Sequence, residues 1–412
     1  MDFEHTYTKE QEQFRKEVRT WLEANVPEKM KMPLDEDDFT EEMYLFWREK
    51  HKEMAARGWL FPTLPKQYGG GGLSPELAAV LTDELNRFRA QGPFTIDFIT
   101  PAILVWATEE QKQKFLVPIL KGEKIAWQKF TEPKSGSDLA SYQSSAVKDG
   151  DDWIMNGSNV FVSGNPADRP DYLYGPMLTD RDAPRHRNLG YFLIPAQAPG
   201  VTIRKMNLVS GSGQNFVFMD NVRVPGDHLI GGDHQGWQVA MTSSEKEHGG
   251  EGSIFRSEGP IENLVSYVQE RRRQGVSPGG NLVLQQKITE AHIEERIAAV
   301  LNKRTAWMYH AGQEINWEGA NTQFYSRESG LRQVGRVRDV MGMYALLGTR
   351  EHLAPHGGRQ EVNQRTSFIL QHGAGSLNIA KVVIARRIGI SRTRERAAAT
   401  PMTAGRTAAA TK

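Results

Sequence analysis

Apolar residues recur at helical spacing over the first part of the chain. Phe14, Val18, Trp21 and Leu22 fall three or four residues apart behind Thr8-Lys9-Glu10-Gln11, an order that allows the reciprocal bonds of a capping box. Further helices are predicted over 41–57, 75–89 and 109–120, and Gly69-Gly70-Gly71-Gly72 reads as a flexible loop between helices. Near Ile125 the texture changes. From there to about Ile230 the apolar runs are short, β-favouring and punctuated by turn residues. Trp153-Ile154-Met155 and Val160-Phe161-Val162 flank Asn156-Gly157, which predicts a hairpin turning at 156–157, because Asn-Gly accepts positive φ. Segments 191–194, 201–203, 216–218 and 222–225 read as further strands. Helical character returns at about Gly236, clearest over 267–273, 286–309, 330–347 and 377–390. The pattern predicts an α+β chain with helices over 1–125, a central β domain over 126–233 and a helical bundle over 234–395. The alanine-, arginine- and threonine-rich remainder, 396–412, reads as a flexible tail.

Composition narrows the class. With 39% hydrophobic and 25% charged residues among 412, the chain is expected to be an ordinary globular protein. Its 51 basic and 50 acidic residues leave a net charge of +1, so no nucleic-acid partner is expected. Zero cysteines exclude disulfides and thiolate metal sites. Met1-Asp2-Phe3-Glu4-His5 lacks the basic and apolar regions of a secretory signal, and no stretch is apolar enough to span a bilayer. A cytoplasmic location is expected, with no membrane span.

Two patterns carry no chemistry. Gly275-Val276-Ser277-Pro278-Gly279 has the hydrolase spacing G-x-S-x-G, but it lies between helices with a proline after the serine, and reads as a loop. His352 and His356 sit four apart with Pro355 between them, which argues against a helical metal site; no metal is expected.

The densest polar cluster is Gln128-Lys129-Phe130-Thr131-Glu132-Pro133-Lys134-Ser135-Gly136-Ser137-Asp138. By composition it is a polar turn, of the kind that brings backbone donors close to a flat polar ligand. Its order closely resembles the Thr-Glu-Pro-x-x-Gly-Ser-Asp signature of the acyl-CoA dehydrogenase family. The resemblance continues along the chain, in Gly58-Trp59 with Pro65-x-x-Tyr68-Gly69-Gly70, and in Trp153-x-x-Asn156-Gly157-x-x-x-Phe161-Val162-Ser163. It extends through Asn221-Val222-Arg223-Val224-Pro225, Gly231, Gly236-Trp237, Tyr267-x-x-Glu270-Arg271 and Ile384-Ala385-Arg386.

The resemblance implies a helical domain, a central β-barrel-like domain and a C-terminal four-helix bundle, with FAD between the last two. Gln128, Phe130, Thr131 and Ser137 would line the flavin, with Ser137 also near the substrate thioester. Phe161 stands where many members have tryptophan, beside Val162, and Ser163 replaces a common threonine. Arg271 falls at the arginine that reaches the FAD pyrophosphate of a neighbouring subunit, and Ser376 and Asn378 would complete the cofactor site. Gln274-Gly275 departs from the family's Phe-Gly.

The family removes the proton α to an acyl-CoA thioester while the β hydrogen leaves as hydride, so the protein must supply a base and polarise the carbonyl. Most members carry that base in a Glu-Gly pair near the last helix. Here Ala374-Gly375 occupies those positions, and alanine cannot take a proton. Isovaleryl-CoA and long-chain acyl-CoA dehydrogenases carry the base on the helix after the β domain. Counting on from Gly236-Trp237 puts Glu247-His248 there, with His248 in place of the usual arginine. Glu247 is therefore the expected base and Glu251, one turn on, the second candidate. His248, Gly373 and Gly375 are expected against the substrate, with the Ala374 N–H on its carbonyl.

The implied partners are an acyl-CoA, an electron-transfer flavoprotein, and copies of the chain in a homodimer or homotetramer. Two other readings stay open: a non-catalytic subunit in a mixed oligomer, and an acyl-CoA-binding flavoprotein with different flavin chemistry, such as an oxidase.

Overall fold

A computed structural model describes residues 7–164, 169–211, 213–249, 260–271, 278–310, 313–373 and 375–391. The chain opens with helix α1 (Lys9–Asn25), whose N-terminus carries the capping box: Gln11 N–H donates to Thr8 Oγ1 at 3.2 Å and Thr8 N–H to Gln11 Oε1 at 2.9 Å. Helices α2 (Glu41–Ala56) and α3 (Pro75–Phe88) follow, capped by Thr40 and Ser74. Next come α4 (Ile99–Trp106), α5 (Glu109–Gln111), a π-helical turn over Lys112–Leu116, and α6 (Val117–Leu120).

The glycine run at 69–72 is not a flexible loop. Gly70, Gly71 and Gly72 donate to the carbonyls of Pro65, Phe61 and Leu64. A Cβ on Gly71 would lie 2.0 Å from the Gly58 carbonyl oxygen. Here glycine permits close approach of two backbone segments rather than mobility.

Eight strands form one sheet, paired in the order β6-β7-β3-β2-β4-β5-β8, with β1 beside β4. They are β1 (Ala126–Gln128), β2 (Ser145–Asp149), β3 (Asp152–Ser163), β4 (Tyr172–Leu178), β5 (Leu189–Pro195), β6 (Val201–Lys205), β7 (Gln214–Pro225) and β8 (Leu229–Ile230). The expected turn at Asn156-Gly157 is absent. Strand β3 runs straight through it, and the hairpin turns instead at Gly150, where φ is +63°. Asn156-Gly157 makes a bulge against β7, with Gly157 pressed on Ser144. Both sites carry turn chemistry; the alternation that buries Trp153 and Met155 is satisfied only if the chain reverses before Asp152.

Helices resume with α7 (Gly236–Gly249), α8 (Pro260–Glu270), α9 (Leu282–His310), α10 (Glu318–Met341), α11 (Arg359–Thr366) and α12 (Leu377–Arg387). One hydrophobic core joins the first helices to the sheet and takes in Val239 and Ala240 of α7. A second, smaller core lies among the last helices around Leu264, Tyr267, Val337, Val340 and Met341. No helix among the described residues is long and apolar enough to cross a membrane.

Candidate active site

After Gln128 the chain leaves β1 and enters the 129–138 loop. Glu132 organises it: its buried carboxylate accepts the backbone N–H groups of Gln143 and Ser144, both at 2.6 Å. Two converging donors require an acceptor-only group, which an ionised carboxylate is and an amide is not. Across the turn, Glu132 N–H donates to the Ser135 carbonyl at 2.8 Å, and Ser135 Oγ donates to the Asp138 carbonyl at 2.6 Å. The loop's other side is stitched to β3. Val160 N–H (2.9 Å) and Asn159 Nδ2 (3.2 Å) both donate to the Thr131 carbonyl. Thr131 and the Phe161-Val162-Ser163 segment, distant in sequence, are thereby brought to one edge.

Phe161 has φ +56° and is 51% exposed, at a register shift between Asn159 and Val162. A bulky residue with positive φ is strained and persists only where its surroundings fix it. Val162 supplies that fixing, being buried, with its carbonyl accepting from Asn215 Nδ2 at 3.2 Å. Val162 consequently faces the sheet core and reaches a ligand only through its main chain, whereas Phe161 and Ser163 face outward. Among the described residues, no hydrogen-bond partner is seen for the hydroxyls of Thr131, Ser137 and Ser163. A Cβ on Gly136 would meet only Thr131 Cγ2, at 3.8 Å. An exposed aromatic ring, the hydroxyls of Thr131, Ser137 and Ser163 and a glycine-bearing loop are groups that would suit a flat heterocycle rich in acceptors. The donor set fits a flavin.

The same loop buries a residue that motif reading missed. Lys129 is fully buried, and its ammonium donates to Tyr142 Oη (3.1 Å), the Pro176 carbonyl (2.9 Å) and Met177 Sδ (3.1 Å). Tyr142 Oη donates in turn to the Lys129 carbonyl at 3.1 Å and accepts from Asn159 Nδ2 at 2.6 Å. Burial pushes the Lys129 ammonium down to about 7, opposed by the negative charge of Glu132. The only sequence signal was a lysine inside the otherwise burial-prone run from Ile125 to Phe130.

The remaining expected residues lie in the C-terminal helices. Arg271, just past α8, stacks its guanidinium over the rings of Tyr267 and Tyr344, at 5.9 and 5.2 Å, so its seen contacts are with that bundle. Ser376 caps α12, accepting from Ile379 N–H at 3.3 Å, and Asn378 is exposed in its first turn. The carbonyls of Gly373 and Gly375 both accept from Arg327, at 2.6 and 2.7 Å. Glu247 and His248 fall in α7, but their side chains lie outside the described residues, as do Glu251 and Ala374. One turn before Glu247, buried Ser243 ties α7 to its surroundings: Ser243 Oγ donates to the Phe98 carbonyl at 2.6 Å and is 2.9 Å from Tyr191 Oη of β5.

Comparison with known proteins gives this architecture a class. Residues 8–123, 128–222 and 234–389 match the acyl-CoA dehydrogenase N-terminal, middle and C-terminal domains in turn. The chain belongs to the acyl-CoA dehydrogenase family, FAD-dependent enzymes that dehydrogenate acyl-CoA thioesters. It is 26% identical to acyl-CoA dehydrogenase FadE26 of Mycobacterium tuberculosis over 391 residues, 92% of this chain and 96% of that one. It is 31% identical to IpdE1 of the same organism over 268 residues, 62% of this chain and 68% of that one. In fold it resembles the ChsE4-ChsE5 complex of M. tuberculosis, with a TM-score of 0.81 at 24% identity, covering 95% of this chain and all of that one.

Proposed function

We propose that the enzyme forms a 2,3-enoyl-CoA, with Glu247 as the base that takes the α proton and the N–H of residue 374 polarising the thioester carbonyl. What supports this reading is the anchoring of α7 at Ser243. Glu247 follows four positions on in the same helix, and Ser243 is held where the N-terminal helices meet β5. The alanine at 374 leaves the alternative position without a carboxylate. Thr131, Ser137 and Ser163 would hold the ring system of FAD, which when bound would supply the acceptor for the β hydrogen. Glu247 takes up the α proton, and the backbone donor at 374 stabilises the negative charge developing on the thioester oxygen. An electron-transfer flavoprotein then reoxidises the enzyme.

Removing a positioned base costs roughly 10²–10⁴ in rate. Glu247→Gln is expected to keep FAD, seen in its visible spectrum, and to abolish anaerobic bleaching by a panel of acyl-CoA thioesters. Undiminished bleaching would exclude Glu247 and turn attention to Glu251.

A second reading, a structural subunit of a mixed oligomer, is favoured by one observation: the matched fold comes from the complex of ChsE4 with ChsE5. Failure of the purified chain to retain FAD, with recovery on co-expression of a second family member, would select it. Either reading needs an assembly surface. Helix α9 exposes Ile293, Ile297, Val300 and Trp307, spaced to lie along one face.

A further inference from the structure

We infer that Lys129 is a positioning residue for the flavin, and that its proton decides whether the root of the 129–138 loop is held. The inference rests on the reading that this loop carries the ring system, and is independent of which residue is the base.

The root of the loop has a gap in its hydrogen bonding that the sequence creates. Strand β1 pairs with β4 in parallel, and Lys129 N–H continues that ladder by donating to the Tyr174 carbonyl at 2.8 Å. In a parallel pair, the N–H and C=O of one residue reach positions on either side of the residue opposite. The Lys129 carbonyl would therefore receive the N–H of residue 176, which is proline and has none. Gly175 lets the strands close here, since a Cβ on it would lie 2.5 Å from the Lys129 carbonyl oxygen. The buried Tyr142 hydroxyl supplies the missing donor, at 3.1 Å. That hydroxyl also accepts from Asn159 Nδ2, which in turn holds the Thr131 carbonyl. Tyr142 thus reaches both the root of the loop and the residue whose hydroxyl would meet the flavin.

A phenol has one proton to direct. The Lys129 ammonium has three hydrogens and three acceptors around it: Tyr142 Oη, the Pro176 carbonyl and Met177 Sδ. While the ammonium donates to Tyr142, the phenol proton points to the Lys129 carbonyl. Loss of one proton from Lys129 leaves an amine with a lone pair. A carbonyl and a thioether cannot donate to it, but the phenol can. The Tyr142 proton then turns to Nζ, the two amine hydrogens stay with Pro176 and Met177, and the Lys129 carbonyl loses its donor. Among the described residues, the other titratable groups of this cluster are Glu132 in the loop, Tyr142 itself and Tyr191 of β5; β3 contributes only Asn159. Burial, and after it the charge of Glu132, push the Tyr142 phenol well above its ordinary range, so it remains a donor throughout. Lys129, pushed down to about 7 by burial, is the member that changes near neutrality.

The test uses the FAD-loaded enzyme, diluted at about pH 6 and about pH 9, with released FAD read from its fluorescence. Wild type is expected to hold FAD about 3- to 10-fold less tightly at the higher pH, the effect of one lost hydrogen bond. Lys129→Met leaves the phenol proton on the carbonyl of residue 129, and should hold FAD equally tightly at both. Tyr142→Phe removes the donor, and should be weak at both. If Lys129→Met does not accumulate, wild type and Tyr142→Phe carry the comparison. A purely structural lysine gives a different pattern, with Lys129→Met losing FAD at either pH, and that result would overturn the inference. A flat wild-type profile, or the wild-type profile persisting in Lys129→Met, would also overturn it. If Thr131→Val still weakens FAD several-fold in that case, the assignment of the loop to the flavin stands. Unchanged affinity in both Thr131→Val and Tyr142→Phe would overturn the two together.

Discussion

Lys129 is the residue at which burial and charge conflict most sharply. Its ammonium titrates at about 7 in the folded chain against an ordinary 10.5. Between those values the unfolded chain holds more protons, so the contribution of this site to stability rises with pH through that window. The slope is at most about 1.4 kcal/mol per pH unit. Lys129→Met removes the titrating group, so wild type should gain relative to the variant between pH 7 and 9.5. Urea unfolding at both values would show this, and a constant difference would contradict it. Glu132 is the companion case, a carboxylate whose two acceptor bonds hold the loop. Glu132→Gln turns a donor toward Gln143 or Ser144 N–H, and should cost roughly 2–3 kcal/mol along with much of the bound FAD. Little of this was visible beforehand. The 128–138 segment was legible as a polar turn because such residues gather in turns. The Lys129–Tyr142–Asn159 cluster and the Arg327 contact were not, because they join residues whose local sequence gives no hint of their partners.

Elements were legible where amphipathic period and caps agreed. Helix α1 announced itself through Thr8, Gln11 and a clean apolar face. Helix α4 did not, because Ile-Thr-Pro-Ala-Ile-Leu-Val-Trp is apolar nearly all round and contains a proline. Helix α11 failed in the opposite direction, with Val362 its single apolar residue. At β3, two turn signals competed and burial decided between them. The bulge at Gly157 yields a sharp prediction, since a Cβ there would lie 2.0 Å from Ser144 Oγ and 2.7 Å from Ser144 Cα. Gly157→Ala should cost about 3 kcal/mol in denaturant unfolding, and adding Ser144→Gly should recover part of it. Equal stability of wild type and single variant would mean that β2 shifts freely, contrary to its pairing with β3.

At the scale of the whole molecule, Ser243 joins three parts: the N-terminal helices, the sheet and α7. Ser243→Ala leaves Tyr191 Oη without that partner inside the core and should lower the melting temperature by a few degrees. The apolar stripe on α9 belongs to the same scale. Ile297→Asp is expected to shift light-scattering mass toward the monomer, and an unchanged mass would place the assembly surface elsewhere.

The two separate hydrophobic cores divide the molecule into cooperative units of unequal size, and α7 crosses from one toward the other. Its opening turns, with Val239 and Ala240, are locked into the larger unit, so their amide protons should exchange with solvent only on global unfolding. The turns beyond Ser243 are expected to follow the faster exchange of the smaller unit. On the reading proposed above, the base at residue 247 would lie where the chain can breathe without losing the frame that orients it.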